Sequence, residues 1–175
     1  MRNAALALVL LATPLPLGMA ASPAATAELA AQDQTFVTEA ASSGLAEAEL
    51  GQLAQQKAAN PEVQQFGQRM VQDHGQANQK LMAVANELGA APPGTPGEKA
   101  AATKRELEGM AGEKFDQAYM RAMIKDHDLA VALFQREAQE GQSEQLRKFA
   151  EETLPTIQEH LQMARSIGKQ VGVKG

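Results

Sequence analysis

Three histidines are the side chains of this sequence that are best suited to chemistry, and each lies on the apolar face of a long amphipathic segment. At about 100° per residue, a helical wheel places His74, His127 and His160 among the apolar positions of three predicted helices. A fourth helix has no histidine but directs Glu47 towards the same core. Each predicted helix therefore offers one polar group to the interior. Four such groups are costly to bury unless they share a partner.

These four residues also agree in height. Glu47 and His74 lie at similar distances from a turn at Asn60, and His127 and His160 lie at similar distances from a turn near Gln142. At about 1.5 Å per residue, all four reach the middle of a bundle. The pattern predicts one metal ion bound by Glu47, His74, His127 and His160. A buried structural cluster held by hydrogen bonds is the alternative.

Imidazole and carboxylate ligands favour zinc, copper or iron over calcium and magnesium. Met70 and Met123 each precede a histidine by one helical turn, which would suit copper, although flexible core filling is the more common role of methionine. Asp73 and Asp126 directly precede a histidine and flank the apolar face, where a carboxylate can orient a ligating imidazole. Arg69, one turn before Asp73, predicts a surface ion pair instead.

The helical pattern predicts an all-α fold, an up-down-up-down four-helix bundle. Short connections join helix A (34–58) to helix B (61–88) and helix C (113–139) to helix D (143–167), and a longer crossover joins B to C. Glu98 to Met110, inside this crossover, is expected to form a short helix or an ordered connection. Leu50, Val63 and Phe66 occupy the same relative places as Leu133, Leu146 and Phe149, which hints at a duplicated hairpin. The predicted helices cover residues 34–58, 61–88, 113–139 and 143–167.

The first 27 residues are predicted to be a cleaved signal peptide, with cleavage after Ala20 or Ala27. Residues 28–175 would then form one domain in the bacterial periplasm or outside the cell, without a transmembrane segment. The net charge of -5 and an aromatic content of 3% argue against nucleic-acid binding. Leu45 and Leu53 lie off the main apolar face of helix A, and suggest a homo-oligomer, a contact with an envelope protein, or packing under the crossover.

Several segments resemble the domain-of-unknown-function 4142 family. They are Phe36, residues 47–51, residues 66–74, residues 119–127 and residues 153–161, and the likeness extends from about Asp33 to Ile167. Proteins of this family are secreted by bacteria, are often labelled membrane or outer-membrane proteins, and have a ferritin-like bundle. The resemblance therefore implies the bundle and export, but it implies little chemistry.

Di-iron bundles place a glutamate three residues before each of two metal-binding histidines. In this chain Val71, Ile124 and Ile157 occupy those positions, so di-iron oxidase chemistry is disfavoured and a single ion is expected. Four protein ligands would leave no position for a substrate. The sequence therefore predicts an exported metal-binding protein that is not an enzyme. A non-catalytic envelope or stress-related interaction domain is the alternative.

Overall fold

The computed structural model describes residues 28–174, and the predicted signal peptide, with both of its cleavage positions, lies outside the described residues. Within this range the protein is all-helical and contains five helices. They are α1 (Ala31–Lys57), α2 (Pro61–Glu87), α3 (Glu98–Glu108), α4 (Gly112–Glu140) and α5 (Glu144–Gln170). The predicted four-helix bundle with a longer crossover is confirmed, with α3 in the crossover. Helix ends differ from the predicted ones by no more than three residues.

Local sequence explains where the hairpin turns lie. The Asn60 side chain accepts a hydrogen bond from the Glu62 backbone N–H at 2.8 Å. Pro61 occupies the first position of α2, where a backbone N–H would have no partner within the helix, so proline loses no hydrogen bond there. The Ser143 hydroxyl accepts from the Leu146 N–H at 3.4 Å and begins α5 in the same way. Both turns are therefore set by N-capping side chains.

Two buried aspartates join the hairpins to each other. The Asp116 carboxylate, near the start of α4, accepts from the backbone N–H groups of Ala59 (3.1 Å) and Asn60 (2.9 Å) in the α1–α2 turn. The Asp33 carboxylate, near the start of α1, accepts from Gln142 and Ser143 in the α4–α5 turn, both at 2.8 Å. The start of α1 therefore lies beside the end of α4, and the start of α4 lies beside the end of α1. Helices α1 and α4 are antiparallel.

This arrangement corrects the predicted helix directions. The chain runs up in α1, down in α2, down again in α4 and up in α5, so the order is up-down-down-up. A helix of 27 residues is about 40 Å long, and residues 88–111 must span that length to start α4 at the opposite end from the α2 terminus. Helix α3 provides this passage along α1 and α4, and the Lys57 ammonium donates to the Glu108 carbonyl at 2.6 Å where the passage ends.

The same residue offset that relates Leu50 to Leu133 also relates Asp33 to Asp116 and Asn60 to Ser143. The members of each pair make equivalent contacts. Each aspartate binds the turn of the other hairpin, and each capping residue begins the second helix of its own hairpin. The structure thus supports the duplicated hairpin that the apolar pattern suggested. The two hairpins are related by an approximate twofold axis.

Helices α1 and α2 approach closely at Gly51 and Gly67. A Cβ atom at Gly51 would lie 2.5 Å from the Gly67 carbonyl oxygen, and a Cβ atom at Gly67 would lie 2.7 Å from the Gly51 carbonyl oxygen. Real carbon atoms do not approach oxygen so closely, so both positions require glycine.

Leu53, which was expected off the main apolar face, is buried in one cluster with Leu107 of α3, so it packs under the crossover. Among the described residues, no helix combines the length and apolarity needed to span a membrane.

Candidate metal centre

A polar layer crosses the middle of the bundle and separates two apolar clusters. One cluster contains Phe36, Phe134 and Phe149, and the other contains Phe66 and Tyr119. On each of the four long helices, the residue between the two clusters is polar and at most 7% exposed. These residues, which we call the histidine layer, are Glu47 on α1, His74 on α2, His127 on α4 and His160 on α5. The expectation that all four lie at one height agrees with this arrangement.

The three imidazoles form a nearly equilateral triangle. Ring centroids are 5.6 Å apart for His74 and His127, 5.3 Å for His74 and His160, and 5.5 Å for His127 and His160. One nitrogen from each ring lies within 4.8 Å of one nitrogen from each of the others. Nitrogen ligands of a tetrahedral ion lie about 3.3 Å apart when the metal–nitrogen bonds are about 2.0 Å long. Small inward rotations of the rings would therefore bring them to a common ion.

Each imidazole has one nitrogen with a close polar partner. His127 Nδ1 lies 2.8 Å from the Met123 carbonyl oxygen, His160 Nε2 lies 2.8 Å from Asp73 Oδ2, and His74 Nδ1 lies 3.1 Å from Glu47 Oε2. The second nitrogen of each ring is buried without a hydrogen-bond partner. Such an arrangement is the usual one for ligating histidines, in which an outer contact fixes the ring and leaves the other nitrogen free for the metal.

Glu47 lies close to the Nδ1 atoms of two of the imidazoles. Its Oε2 is 3.1 Å from His74 Nδ1, and its Oε1 is 3.4 Å from His127 Nδ1. The side chain is only 2% exposed. It occurs one helical turn before Gly51, so the close approach of α1 to α2 brings this carboxylate to His74.

Burial keeps two of the imidazoles neutral. It lowers the pKa of His74, against the opposing effect of the Glu47 charge, and it lowers the pKa of His160 to about 4 in spite of the hydrogen bond with Asp73. Neutral imidazole is the form that binds metals. Burial alone would raise the pKa of Asp73, but the hydrogen bonds with His160 and Arg69 outweigh it and lower that pKa. A charged carboxylate therefore faces a neutral imidazole.

Asp73 combines both roles that the sequence suggested. Arg69 Nε lies 3.1 Å from Asp73 Oδ2, as the helical spacing predicts, while the same oxygen contacts His160 across the bundle. Arg69 also bonds Glu159 at 3.1 Å, and its Nη1 lies 3.5 Å from the Met163 sulfur. Sequence reasoning did not find the pairing of Arg69 with Glu159, because it joins residues on different helices.

The remaining candidates lie outside the triangle. Met70 and Met123 are fully buried in the apolar cluster on one side of the layer, and Met123 contacts His127 through its backbone carbonyl. Asp126 is half-buried in a groove between α1, the crossover and α4, where burial and the charge of Glu47 raise its pKa. Asp126 does not belong to the group of mutually close histidine and carboxylate ligand atoms found among the described residues.

Tyr119 is a polar residue that the sequence reasoning missed. Its hydroxyl is fully buried without a hydrogen-bond partner, and burial together with the Glu47 charge raises its pKa. Its ring centroid lies 6.3 Å from that of Phe66, which in turn lies 6.2 Å from the His127 ring. The signal was available, because Tyr119 precedes His127 by two helical turns on the same face.

Fold and site together define an all-helical bundle protein with a buried layer of three imidazoles and one carboxylate. Residues 18–167 match the family model described as a domain of unknown function, DUF4142, and the chain belongs to this family. A search of curated proteins finds no match.

Several solved structures have the same fold as this chain. A DUF305 fragment from Deinococcus radiodurans has a TM-score of 0.71 at 14% identity, over 81% of this chain and 98% of its own. A DUF305 protein from Streptomyces coelicolor, described as a predicted secreted protein, has a TM-score of 0.70 at 11% identity, over 82% and 94%. CopM in its Cu(II)-bound form has a TM-score of 0.65 at 15% identity, over 79% and 96%. At these identities the likeness concerns the fold.

Proposed function

We propose that this protein binds one transition-metal ion at the centre of its bundle through His74, His127 and His160. Glu47 and Asp73 act as charged acceptors that orient the imidazoles, and Glu47 is not itself a ligand. The observation that supports this most strongly is the set of three buried, unpartnered ring nitrogens, one per helix, on rings whose other nitrogens are already engaged. A metal ion is a partner that three such lone pairs can share.

The donor set favours copper within this class. Neutral imidazole suits copper, zinc and iron, and copper(II) binds nitrogen sites most tightly among the divalent first-row ions. CopM, which shares the fold, has been observed in Cu(II)-bound and Ag-bound forms. The thioethers of Met70 and Met123 lie in the apolar cluster, so we assign them to packing rather than to the ion.

We also propose a bacterial envelope location. The apolar run near the start of the sequence, followed by small residues, is typical of a secretory signal peptide. The description of one structural neighbour as a predicted secreted protein is consistent with this location. An exported protein with a buried tri-histidine site would be suited to binding copper or zinc in the envelope.

Calorimetric titration of the metal-free chain with Cu(II) and Zn(II) tests the function. One ion per chain is expected to bind and to raise the melting temperature, since a ligand that binds only the folded state stabilises it by mass action. His127→Ala should abolish tight binding. Gln76→Ala, an exposed change on α2, is the matched control and should bind as the unaltered chain does.

The alternative, an interaction domain with a structural histidine cluster, makes the opposite prediction. In that case no metal would raise the melting temperature, and His127→Ala would change stability without changing metal content. Either result would reject the proposed function.

A further inference from the structure

A small cavity lies in the bundle directly beside the histidine layer. Its wall includes Glu47, His74 and His160, and it extends along the core towards the cluster that contains Phe134 and Phe149. Its volume is about 30 Å³. Most of the wall is apolar. Besides Glu47, His74 and His160, its polar part includes one more carboxylate and four neutral side chains: Asp73, Ser43, Asn78, Thr153 and Thr156.

The volume restricts what the cavity can hold. About 10–15 Å³ on this scale is enough for one water molecule. The cavity therefore admits one or two waters, or a molecule of two or three atoms, and it is too small for an organic substrate. Thr153 already donates its hydroxyl hydrogen to the Phe149 carbonyl at 2.7 Å, so its oxygen remains available as an acceptor.

Coordination chemistry gives this space a role, which rests on the proposed function. Three imidazoles leave a four-coordinate ion with one open position, and sites with three protein ligands fill that position with water or another exchangeable molecule. Glu47 Oε2 is engaged with His74 Nδ1 at 3.1 Å, and the proposed function assigns Glu47 to orienting that imidazole rather than to this position. Two of the three imidazoles border the cavity, so the open position faces it.

Charge indicates which molecules would bind there. A divalent ion with three neutral imidazoles carries two positive charges, and Glu47 supplies one buried negative charge. Asp73 also borders the cavity, but Arg69 lies 3.1 Å from it and offsets its charge. Glu159, the second partner of Arg69, is 55% exposed, so solvent screens its charge. One positive charge therefore remains in an environment of low dielectric, where uncompensated charge is costly.

We propose that the metal centre keeps an exchangeable fourth ligand in this cavity, and that the site takes a small anion of two or three atoms. This assignment differs from the sequence-based expectation of a closed site with four protein ligands. It makes the centre open to small inorganic molecules and closed to larger ones.

Azide titration of the Cu(II)-loaded protein tests the proposal. Azide should produce a saturable charge-transfer absorption band and a change in the copper electron paramagnetic resonance spectrum, while the copper content stays the same. Ala77→Leu places a larger side chain in the cavity wall and should weaken azide binding at least about tenfold without removing copper. Ala83→Leu, exposed on the same helix and away from the cavity, is the control and should leave azide affinity unchanged.

The other outcomes separate the two proposals. A chain that binds no copper contradicts the proposed function itself. Copper binding with no spectral response to azide, or removal of copper by azide, overturns the open position alone. Unchanged azide affinity in Ala77→Leu would place the anion elsewhere. If Ala77→Leu loses copper, the azide titration is made instead with Ser43→Leu, which fills the cavity from α1 rather than from α2. Loss of copper in both variants would mean that the wall belongs to the metal site, and would also overturn the proposal.

Discussion

At the scale of single residues, the centre depends on the difference between the two nitrogens of each imidazole. One nitrogen is held by Met123, Asp73 or Glu47, and the other is buried and free. Without a metal, three unpartnered buried nitrogens would cost roughly 1–3 kcal/mol each. This cost supports the proposal that the three imidazoles share a ligand.

Glu47→Gln tests the orienting role. The amide keeps the shape of the side chain but removes the negative charge that faces His74 and His127, so metal affinity should fall about 10–100-fold, the usual effect of losing an outer carboxylate. The stoichiometry should remain one ion per chain. Calorimetric titration measures both quantities. Glu49→Gln, two residues on and paired with Lys104 at 2.8 Å, is the control and should have no effect. Complete loss of binding in Glu47→Gln would indicate that Glu47 is a ligand.

Glu137 carries a separate pH dependence at the end of the bundle. It is only 1% exposed, both of its carboxylate oxygens lack a hydrogen-bond partner, and burial together with the nearby Asp33 charge raises its pKa to about 7. The folded state therefore holds this proton more tightly than the unfolded chain. The stability that this proton provides is present at low pH and is lost as the pH rises through about 7.

Glu137→Gln should therefore be more stable than the unaltered chain at pH 8 by roughly 3 kcal/mol, which corresponds to a pKa raised from 4.5 to about 7. At pH 4, below the ordinary pKa of 4.5, the two should be similar, because Glu137 is then mostly neutral in both the folded and the unfolded chain. Urea unfolding at both pH values provides the measurement. Exposed Glu140→Gln is the control. A stability difference that does not change with pH would contradict this assignment.

Much of the candidate site could be predicted at the residue scale, because an inward histidine on each of three helices is visible on a helical wheel. The role of Glu47 was not available from the wheel. A wheel shows that a side chain faces the core, but it does not show whether a carboxylate contacts the metal or the far side of an imidazole.

At the scale of the elements, the histidine layer depends on how closely α1 and α2 approach. The glycine contact at Gly51 and Gly67 lies one turn after Glu47 and about two turns before His74. It therefore sets the distance between the carboxylate and the imidazole. The helices themselves could be predicted from apolar spacing, capping residues and breakers, but helix spacing of this kind depends on tertiary contacts.

Gly67→Ala should push α1 away from α2, since the new Cβ would lie 2.7 Å from the Gly51 carbonyl oxygen and 2.8 Å from the Ala54 Cβ. The expected loss of stability is about 1–3 kcal/mol, as for other overpacked cores. Metal affinity should fall as well, because Glu47 moves away from His74. Gly75→Ala, on the same helix with nothing within 4 Å of the added carbon, is the control. Equal stability and affinity in the two variants would show that the contact does not determine the site.

At the scale of the whole molecule, the bundle is nearly symmetric and the site is not. Asp33 and Asp116 hold opposite turns in the same way, whereas the residues related to Glu47 and His74 by the same offset are Ala130 and Ile157. The histidine layer therefore does not share the repeat that relates the two hairpins. The helix directions could not be predicted, because a crossover of residues 88–111 is long enough to return to either end of the bundle.

The turn contacts should make the two hairpins unfold together. Asp116→Ala leaves the N–H groups of Ala59 and Asn60 without an acceptor, and should reduce the free energy of unfolding by roughly 1–3 kcal/mol. Urea unfolding measures this loss. Glu140→Ala, an exposed change on the same helix, should stay within about 0.5 kcal/mol of the unaltered chain. If Asp116→Ala were equally mild, the hairpins would not depend on this contact.

The central claim is that three imidazoles, and no sulfur or Glu47 oxygen, hold one ion. X-ray absorption spectroscopy of the Cu(II)-loaded chain tests it most directly. We expect a first shell of nitrogen and oxygen at about 2.0 Å, with the outer-ring scattering of three imidazoles and an identical imidazole count in Glu47→Gln. A sulfur shell near 2.3 Å, or fewer than three imidazoles, would contradict the account.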